Sequence, residues 1–485
     1  MMSMNSSKLF ASGIKRRSFM TGLAASGLGL WTASGPTPVL SQQQATAEKI
    51  AWTWGPFGSS DDVGRYYEIE YPASSAAGEL QLAVSYKYWL PPGVQRIRGV
   101  IMHQHGASIL AAQGGATAVY DLHWQALAKK WDCALLGPSY RVLNDGIGLI
   151  PGGSELWFDP RIGSEKTYLR SLEDVAERSG HSEIAVVPWI FWGHSAGGIW
   201  ANTMSTLHPE RIAAIFLRSG TAAMFRDKPE FRQPSIPEAV YTIPTMTNAG
   251  VQEKGHEPWE GSIATFKEYR ERGAPIGFAP DPRTAHQTGD SRYLAIPFLD
   301  ACMAMRLPEK GVTSNALRPV EHAQAWLAEA MSATAVPAAQ FRGDVKKAVW
   351  LPNERVALAW MQYVQQGTVA TSEIPPAPFS VSVKTSGKCN EITWNAESGF
   401  EAGIGGFVVM RNGRGIARLP ERPPDRLFGR PLFQGLSYHD TPEAPYPRMS
   451  YCDTTVPAGR KNEYSVITLS SAGVASDPSK SVIAE

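Results

Sequence analysis

One short stretch of the chain reads Ile190-Phe191-Trp192-Gly193-His194-Ser195-Ala196-Gly197-Gly198. The apolar run 185–192 that leads into it is suited to a strand covered on both faces, and residues 198–207 predict a helix. Gly193 and Gly197, which flank Ser195, let the backbone turn sharply, so that the Ser195 hydroxyl projects above the sheet. The positive end of the following helix then lies beside any negative charge that develops there. This context favours a reactive serine over a structural turn.

The sequence on both sides of this turn alternates between strands and helices. Strands are predicted at residues 67–71, 82–90, 99–103, 133–136 and 212–217, and helices at 120–131 and 167–178. Residues 321–331 and 353–365 predict two further helices. Alternation of this kind indicates an α/β fold in which helices flank a mostly parallel sheet.

In this setting the Gly-x-Ser-x-Gly turn resembles the nucleophile elbow of the α/β-hydrolase superfamily, and the resemblance covers about residues 66–365. The resemblance implies the α/β-hydrolase fold, with Ser195 as the nucleophile. It also implies a triad in the chain order serine, acidic residue, histidine, since a serine hydroxyl needs a base to activate it and a carboxylate to orient that base. The resemblance therefore implies an acid after a late strand and a histidine after the last one.

Glu253 and His286 occupy the positions that this order requires. Glu253 lies in a loop that resembles the one in which the superfamily carries its acid. His286 follows a short strand candidate and a turn-rich segment, as the histidine of the superfamily does. Asp281 and Asp290 remain open as alternative acids, whereas Asp300 comes after the histidine and is disfavoured.

The superfamily stabilises the oxyanion of the tetrahedral intermediate with two backbone N–H groups. The resemblance assigns one of them to Ala196, the residue after the serine. The second is expected from Gly106 or Ala107, because the segment after strand 99–103 resembles the His-Gly oxyanion loop. The alternative interpretation of His103 and His105 is a His-x-His metal pair, but no third ligand stands out in the sequence. We therefore predict no metal.

Residues 139–159 form an insertion rich in glycine, aliphatic and aromatic residues. Trp157 and Phe158 end this insertion just before a predicted helix. These two rings either form part of a substrate-binding wall or pack in the core, because large aromatic side chains serve both purposes.

The character of the sequence changes near Pro375-Pro376-Ala377-Pro378, where short β runs with glycine and proline turns begin. This change predicts a boundary between a catalytic domain, residues 48–370, and a C-terminal domain, residues 371–485. The second domain resembles a fibronectin type III module, an all-β immunoglobulin-like sandwich. Trp394 and Tyr464 match the buried tryptophan and the late-strand tyrosine of such sandwiches.

The chain has four cysteines, too few for a disulfide scaffold. Cys389 and Cys452 fall in the same C-terminal domain, where they either pair or remain as thiols. Cys133 and Cys302 lie in apolar segments, where buried thiols are common. A disulfide requires an oxidising compartment, so the question of pairing depends on whether the protein is exported.

The first residues resemble a twin-arginine export signal. Lys15-Arg16-Arg17-Ser18-Phe19-Met20 precedes a weakly apolar stretch rich in glycine and alanine, and Ala45-Thr46-Ala47 offers small residues for a signal peptidase. We expect residues 1–47 to be removed, and the mature chain to lie in the periplasm or outside the cell. The apolar stretch is shorter than the ~20 residues that span a bilayer, so no permanent membrane anchor is expected.

Taken with the resemblance, these features predict a serine esterase that works through an acyl-enzyme and needs no cofactor. The substrate is an ester, either small or carried on a polymer such as a polyester or an acylated polysaccharide. A serine peptidase of the same fold and a non-catalytic binding protein are the alternatives. With 46 basic and 45 acidic side chains, a net charge of +1, there is no concentrated basic face for a nucleic-acid partner. The oligomeric state stays open.

Overall fold

A computed structural model describes residues 64–107, 115–142, 157–225, 235–387, 389–421, 429–430, 432–443, 449–456 and 461–484. The predicted signal segment, residues 1–47, lies outside these ranges, as does most of the insertion at 139–159.

A sheet of eight strands carries the N-terminal part of the described chain. Its strands are β1 (Arg65–Tyr71), β2 (Val84–Leu90), β3 (Gly99–Gln104), β4 (Cys133–Tyr140), β5 (Trp189–His194), β6 (Ile212–Arg218), β7 (Thr245–Gly250) and β8 (Ile276–Asp281). They lie in the order β1-β2-β4-β3-β5-β6-β7-β8, and β2 is antiparallel to both of its neighbours. All other neighbouring pairs are parallel. The sheet is therefore mostly parallel, as the alternating pattern predicted, and the fold is α/β-hydrolase-like.

Helices cover both faces of this sheet. They are α1 (Leu122–Lys130), α2 (Ser164–Ser179), α3 (Ala196–Leu207), α4 (Glu257–Glu271), α5 (Arg292–Arg306) and α6 (Glu354–Gln366). In β5 the side chains alternate between two cores: Ile190 and Trp192 pack in the core that contains Trp124 of α1, and Phe191 packs in the core that contains Trp200 of α3. Because both faces are covered, β5 is buried along its whole length. No helix within the described ranges has the length and apolarity needed to cross a membrane.

The prediction of a helix at residues 321–331 is wrong. This region contains β9 (Trp326–Glu329), which pairs antiparallel with β10 (Ala335–Pro337) and with β11 (Ala348–Leu351). All four residues of β11 are buried, and Trp350 lies opposite Leu327. Pairing with a buried strand some way along the chain outweighs the local helical pattern, which is weak evidence for so short a segment.

The C-terminal part of the chain is all-β. One sheet contains β12 (Phe379–Ser386), β13 (Cys389–Asn395) and β16 (Ser450–Asp453), and the other contains β14 (Ile404–Arg411), β15 (Arg414–Leu419), β17 (Asn462–Ser470) and β18 (Val482–Ala484). Every pairing is antiparallel. Trp394, Phe407 and Tyr464 are buried in a common core. A disulfide joins Cys389 to Cys452 across β13 and β16, so of the two alternatives left open above the structure shows the paired one.

A buried ionic cluster joins the α/β part to the all-β part. Arg292, the first residue of α5, lies 2.6 Å from Asp121 and 2.9 Å from Asp440, which belongs to a turn of the all-β part. All three side chains are almost completely buried. Burial alone would raise the pKa of the Asp440 carboxyl, but the Arg292 guanidinium outweighs it and holds that pKa well below its usual value. Each charge in the cluster therefore has a buried partner, and removing one of them would leave the others uncompensated.

We predict that Arg292→Met strongly destabilises the protein, because it leaves two buried carboxylates without a cation. The free energy of unfolding should fall by about 3–5 kcal/mol, measured from urea midpoints. Arg355→Met is the matched control: Arg355 also bridges the two parts, through Asp300 and Glu401, but its side chain is 43% exposed. Its loss should cost about 1 kcal/mol or less. Equal effects of the two substitutions would contradict this view of the cluster.

Candidate active site

The backbone at Ser195 adopts a conformation that side-chain-bearing residues rarely take. Its φ is 54° and its ψ is −121°, at the point where β5 ends and α3 begins. The neighbouring glycines are needed at this turn: a Cβ on Gly193 would lie 2.5 Å from the backbone oxygen of Gly197, and a Cβ on Gly197 would lie 2.3 Å from that of Gln104. The Ser195 N–H donates to the backbone oxygen of Arg218 at 2.8 Å, which ties the turn to β6. Strain of this kind is typical of functional sites.

Glu253 and His286 form a close pair at the same edge of the sheet. Glu253 ends a short 3-10 helix (Val251–Glu253) directly after β7, and His286 lies in the loop 282–291 between β8 and α5, here called the His286 loop. The Nδ1 of His286 lies 2.5 Å from Oε1 of Glu253. The other oxygen, Oε2, accepts from Ser219 Oγ at 2.6 Å and from the Gly250 N–H at 3.3 Å. The carboxylate is thus held by three groups, and one of them is the imidazole.

The charge state of Glu253 follows from these contacts. Burial raises the pKa of its carboxyl, but the hydrogen bond and charge of His286, the charge of Arg218 and the hydrogen bond from Ser219 outweigh burial and lower that pKa below its ordinary value. Glu253 is therefore ionised at neutral pH and can stabilise an imidazolium at His286.

The segment after β3 lies directly against the Ser195 turn. A Cβ on Gly106 would lie 3.2 Å from the Cβ of Ser195, so the backbone of Gly106 is beside the serine. Ala107 follows it in the chain, and Ala196 begins α3 on the other side of the serine. The structure thus places Gly106 beside Ser195 and Ala196 directly after it, and Ala107 is the next residue after Gly106.

His103 and His105 have different surroundings. The His103 ring stacks on Trp192 with a centroid separation of 4.1 Å, and its Nε2 lies 3.7 Å from a carboxylate oxygen of Asp440. The His105 ring lies 5.3 Å from that of Trp157, and its Nδ1 lies 2.5 Å from the backbone oxygen of Gly106. Within the described residues there is no group of three or more His, Cys, Asp or Glu side chains placed to hold a metal ion.

Trp157 and Phe158 are completely buried, which favours the core alternative over a substrate-binding wall. Trp157 stacks on Tyr140 with a centroid separation of 4.4 Å and an interplanar angle of 11°. Trp157 contacts His105, which precedes Gly106 in the chain. The ring therefore supports the segment beside Ser195 from within the core and does not form a surface for a ligand. The rest of the predicted wall, residues 143–156, lies outside the described residues.

The two alternative acids and the disfavoured Asp300 are engaged elsewhere. Asp281 accepts from the Tyr363 hydroxyl at 2.9 Å, and Asp290 accepts from the backbone N–H of Arg430 at 2.8 Å. Asp300 pairs with the Lys130 ammonium at 2.7 Å. Of the four candidates, Glu253 is the one that contacts His286.

Sequence reasoning missed a contribution from the all-β part. A turn at residues 437–441, between β15 and β16, reaches the Ser195 turn. A Cβ on Gly106 would lie 2.8 Å from the Nδ1 and Cε1 atoms of His439, and His439 Nδ1 is 2.9 Å from His194 Nδ1. The Tyr438 ring lies 6.3 Å from that of His286. The available signal was the run Tyr438-His439-Asp440, three successive polar or titratable residues in the all-β part.

Neither a protein-family model nor a curated protein matches the sequence. Among solved structures, a ferulic acid esterase is 13% identical, over 46% of this chain and 92% of that chain, with a TM-score of 0.34. An S-formylglutathione hydrolase from Agrobacterium tumefaciens is 17% identical, over 50% of this chain and 94% of that chain, with the same TM-score of 0.34. A Fn3-like protein from Clostridium thermocellum is 23% identical, over 23% and 94% of the two chains, with a TM-score of 0.16. The fold assignment therefore rests on the strand order, and the chemistry rests on the site geometry.

We predict that mildly acidic pH destabilises the protein through its buried histidines. Burial lowers the pKa of His439 to about 3 and that of His105 and His123 to about 4, and it lowers the pKa of His194 well below the ordinary value of 6.5. As pH falls below 6.5, these histidines bind protons in the unfolded chain but stay neutral in the folded chain. The free energy of unfolding that they contribute is therefore present above that pH and is lost below it.

Each such histidine contributes a slope of about 1.4 kcal/mol per pH unit between its two pKa values. Urea midpoints measured from pH 7 to pH 5 should therefore fall steadily, in a range where most carboxylates remain ionised in both states. His123→Asn should reduce this slope by about 1.4 kcal/mol per pH unit, which is the contribution of one histidine. A stability that is flat or increases from pH 7 to pH 5 would rule out this explanation.

Proposed function

We propose that the chain is a serine hydrolase that cleaves carboxylic esters through an acyl-enzyme, with Ser195 as nucleophile, His286 as base and Glu253 as the acid that orients it. The observation that carries this proposal is the 2.5 Å contact between His286 Nδ1 and Glu253 Oε1 at the sheet edge where Ser195 sits in a strained turn. A base oriented by a carboxylate, at the sheet edge that carries a serine in such a turn, fits the arrangement that activates a hydroxyl at neutral pH.

In the acylation step, Ser195 Oγ attacks the ester carbonyl carbon. His286 takes the hydroxyl proton on Nε2, because its Nδ1 is engaged by Glu253. The carbonyl oxygen becomes an oxyanion, which accepts from the N–H of Ala196 and from an N–H of Gly106 or Ala107. The intermediate then collapses: the C–O bond to the alcohol breaks, and His286 returns the proton to the leaving alcohol.

In the deacylation step, water replaces the alcohol. His286 removes a proton from the water as it attacks the acyl carbon, and the same backbone N–H groups stabilise the second oxyanion. Collapse releases the carboxylic acid and returns the proton to Ser195. The ionised Glu253 stabilises the imidazolium in both steps, and no cofactor takes part.

Export and the nature of the ester are further parts of the proposal. The twin-arginine-like segment Lys15-Arg16-Arg17-Ser18-Phe19-Met20 supports export to the periplasm or beyond, and the Cys389–Cys452 disulfide is compatible with an oxidising compartment. An exported esterase acts on esters outside the cytoplasm, and a polyester or an acylated polysaccharide is the class we propose. We further propose that the all-β part is a fibronectin type III-like module.

We predict turnover of short p-nitrophenyl esters by the purified chain, and its loss in Ser195→Ala. Release of p-nitrophenol, followed at 405 nm, should fall by at least about 10³-fold in the variant, because the nucleophile is removed while the oxyanion donors remain. Parallel assays on p-nitroanilides separate an esterase from a peptidase. Absence of activity on both substrate classes would support the non-catalytic alternative.

The acid is tested by Glu253→Gln, with Glu260→Gln as the matched control. The first substitution removes the charge that stabilises the imidazolium, so kcat/KM should fall by about 10³- to 10⁴-fold. Glu260 lies seven residues further along, is exposed and accepts from a backbone N–H of Gly255 that an amide also satisfies, so its loss should leave kcat/KM within about twofold. Equal kcat/KM values for the two variants would mean that Glu253 is not the acid, and Asp281 or Asp290 would take its place.

A further inference from the structure

The His286 loop is held by the all-β part at successive positions. The Thr288 hydroxyl donates to the backbone oxygen of Tyr438 at 3.3 Å. Asp290 accepts from the N–H of Arg430, and the ionic cluster of Arg292 begins immediately after the loop. The part of the chain that carries the base is therefore positioned by residues more than 130 positions further along the sequence.

His439 extends this contact to residue 286 itself. Its Nδ1 lies 2.9 Å from Nδ1 of His194, and Nε2 of His194 lies 2.8 Å from the backbone oxygen of His286. The three histidines form a chain that runs from the all-β part, through the residue beside Ser195, to the backbone of the base. The same His439 ring packs against Gly106.

The direction of the hydrogen bonds in this chain follows from its last link. A backbone oxygen only accepts, so His194 carries its proton on Nε2. Burial keeps His194 neutral, and its Nδ1 is therefore an acceptor. His439 consequently donates from Nδ1. One defined arrangement of protons satisfies both bonds, and it needs a donor at the δ position of residue 439.

The turn that carries His439 is itself rigidly held. The N–H of His439 donates to Ser437 Oγ at 3.2 Å, and the Ser437 N–H donates to the backbone oxygen of Thr441 at 2.8 Å. Asp440 takes a left-handed backbone conformation, with a φ of 63°, and is locked by Arg292. A residue held from both sides in this way is suited to orient a partner.

We propose that His439 is a positioning residue for His286, acting through His194, so that the all-β part belongs to the hydrolytic machinery. This inference rests on the proposed function. By holding the backbone of residue 286 and the Gly106 backbone at once, His439 sets the relative position of the base and the oxyanion loop around Ser195. It does not touch the reacting atoms in this role, so its loss should lower kcat and leave ground-state binding of the ester unchanged.

The experiment compares His439→Leu, His439→Asn and His123→Leu in the full chain. Leucine fills similar space without a donor, whereas the Asn amide places a donor near the position of Nδ1. His123 is the control: it is a buried histidine that also joins the two parts, through a 2.8 Å contact with the backbone oxygen of Phe400, but it does not contact His194 in the described structure. Melting temperatures of all three variants report on folding.

With a p-nitrophenyl ester, we expect kcat to fall by about 10²-fold in His439→Leu, with KM within twofold, because a misplacement of the base by about 1 Å has an effect of that size. His439→Asn should recover at least a tenth of the wild-type kcat, and His123→Leu should keep it even if its melting temperature falls. If His439→Leu does not fold, His439→Gln replaces it, since its amide lies beyond the δ position and should not restore kcat.

A double-mutant cycle with His194→Leu tests whether His439 acts on His286 through His194. If His439 acts through His194, the second substitution should add less than threefold to the first. Three results would overturn the proposal: an unchanged kcat in a folded variant without a δ donor, an increase in KM alone, or effects that multiply in the cycle. An inactive wild-type chain would instead refute the proposed function, so the two failures are distinguishable.

Discussion

The whole site depends on the strained backbone of Ser195. A residue with a side chain in this conformation costs on the order of 1–3 kcal/mol, and it persists only where the surroundings determine it. Here Gly193 and Gly197 allow backbone segments to approach more closely than any side chain would permit. The hydrogen bond from the Ser195 N–H to the backbone oxygen of Arg218 ties the turn to β6. The parallel sheet meets this need, because the carboxyl ends of β5, β6, β7 and β8 lie side by side at one edge.

Residues from distant parts of the chain lie together at that edge. Glu253 follows β7, His286 follows β8, and Gly106 follows β3, so strand order brings them to the same edge of the sheet as Ser195. The loops still need support, because a loop is less rigid than the strands that it connects. Arg218 contributes by donating to the backbone oxygens of Ala285 and Gln287. The all-β part contributes the rest, through Arg430, the 437–441 turn and the buried ionic cluster.

The local part of this arrangement could be predicted from the sequence, and the long-range part could not. The glycine pattern around Ser195, the alternation of strands and helices and the chain order of acid and base are signals within short windows. The contact of His439 with His194 joins residues 245 positions apart, and no periodicity or spacing encodes it. The strand at 326–329 was missed for the same reason, because its partner at 348–351 determines its conformation. Trp157 and Phe158 show a third limit, since composition does not distinguish a packed ring from a binding surface.

The most direct test of the central claim is covalent labelling of Ser195. The full chain is treated with a fluorophosphonate, digested and mapped by mass spectrometry, with Ser195→Ala and Glu253→Gln alongside. We predict one stoichiometric adduct on the peptide that contains Ser195, none there in Ser195→Ala, and labelling slowed by orders of magnitude in Glu253→Gln. An unlabelled Ser195 in a folded chain, or an adduct on another serine, would contradict the claim.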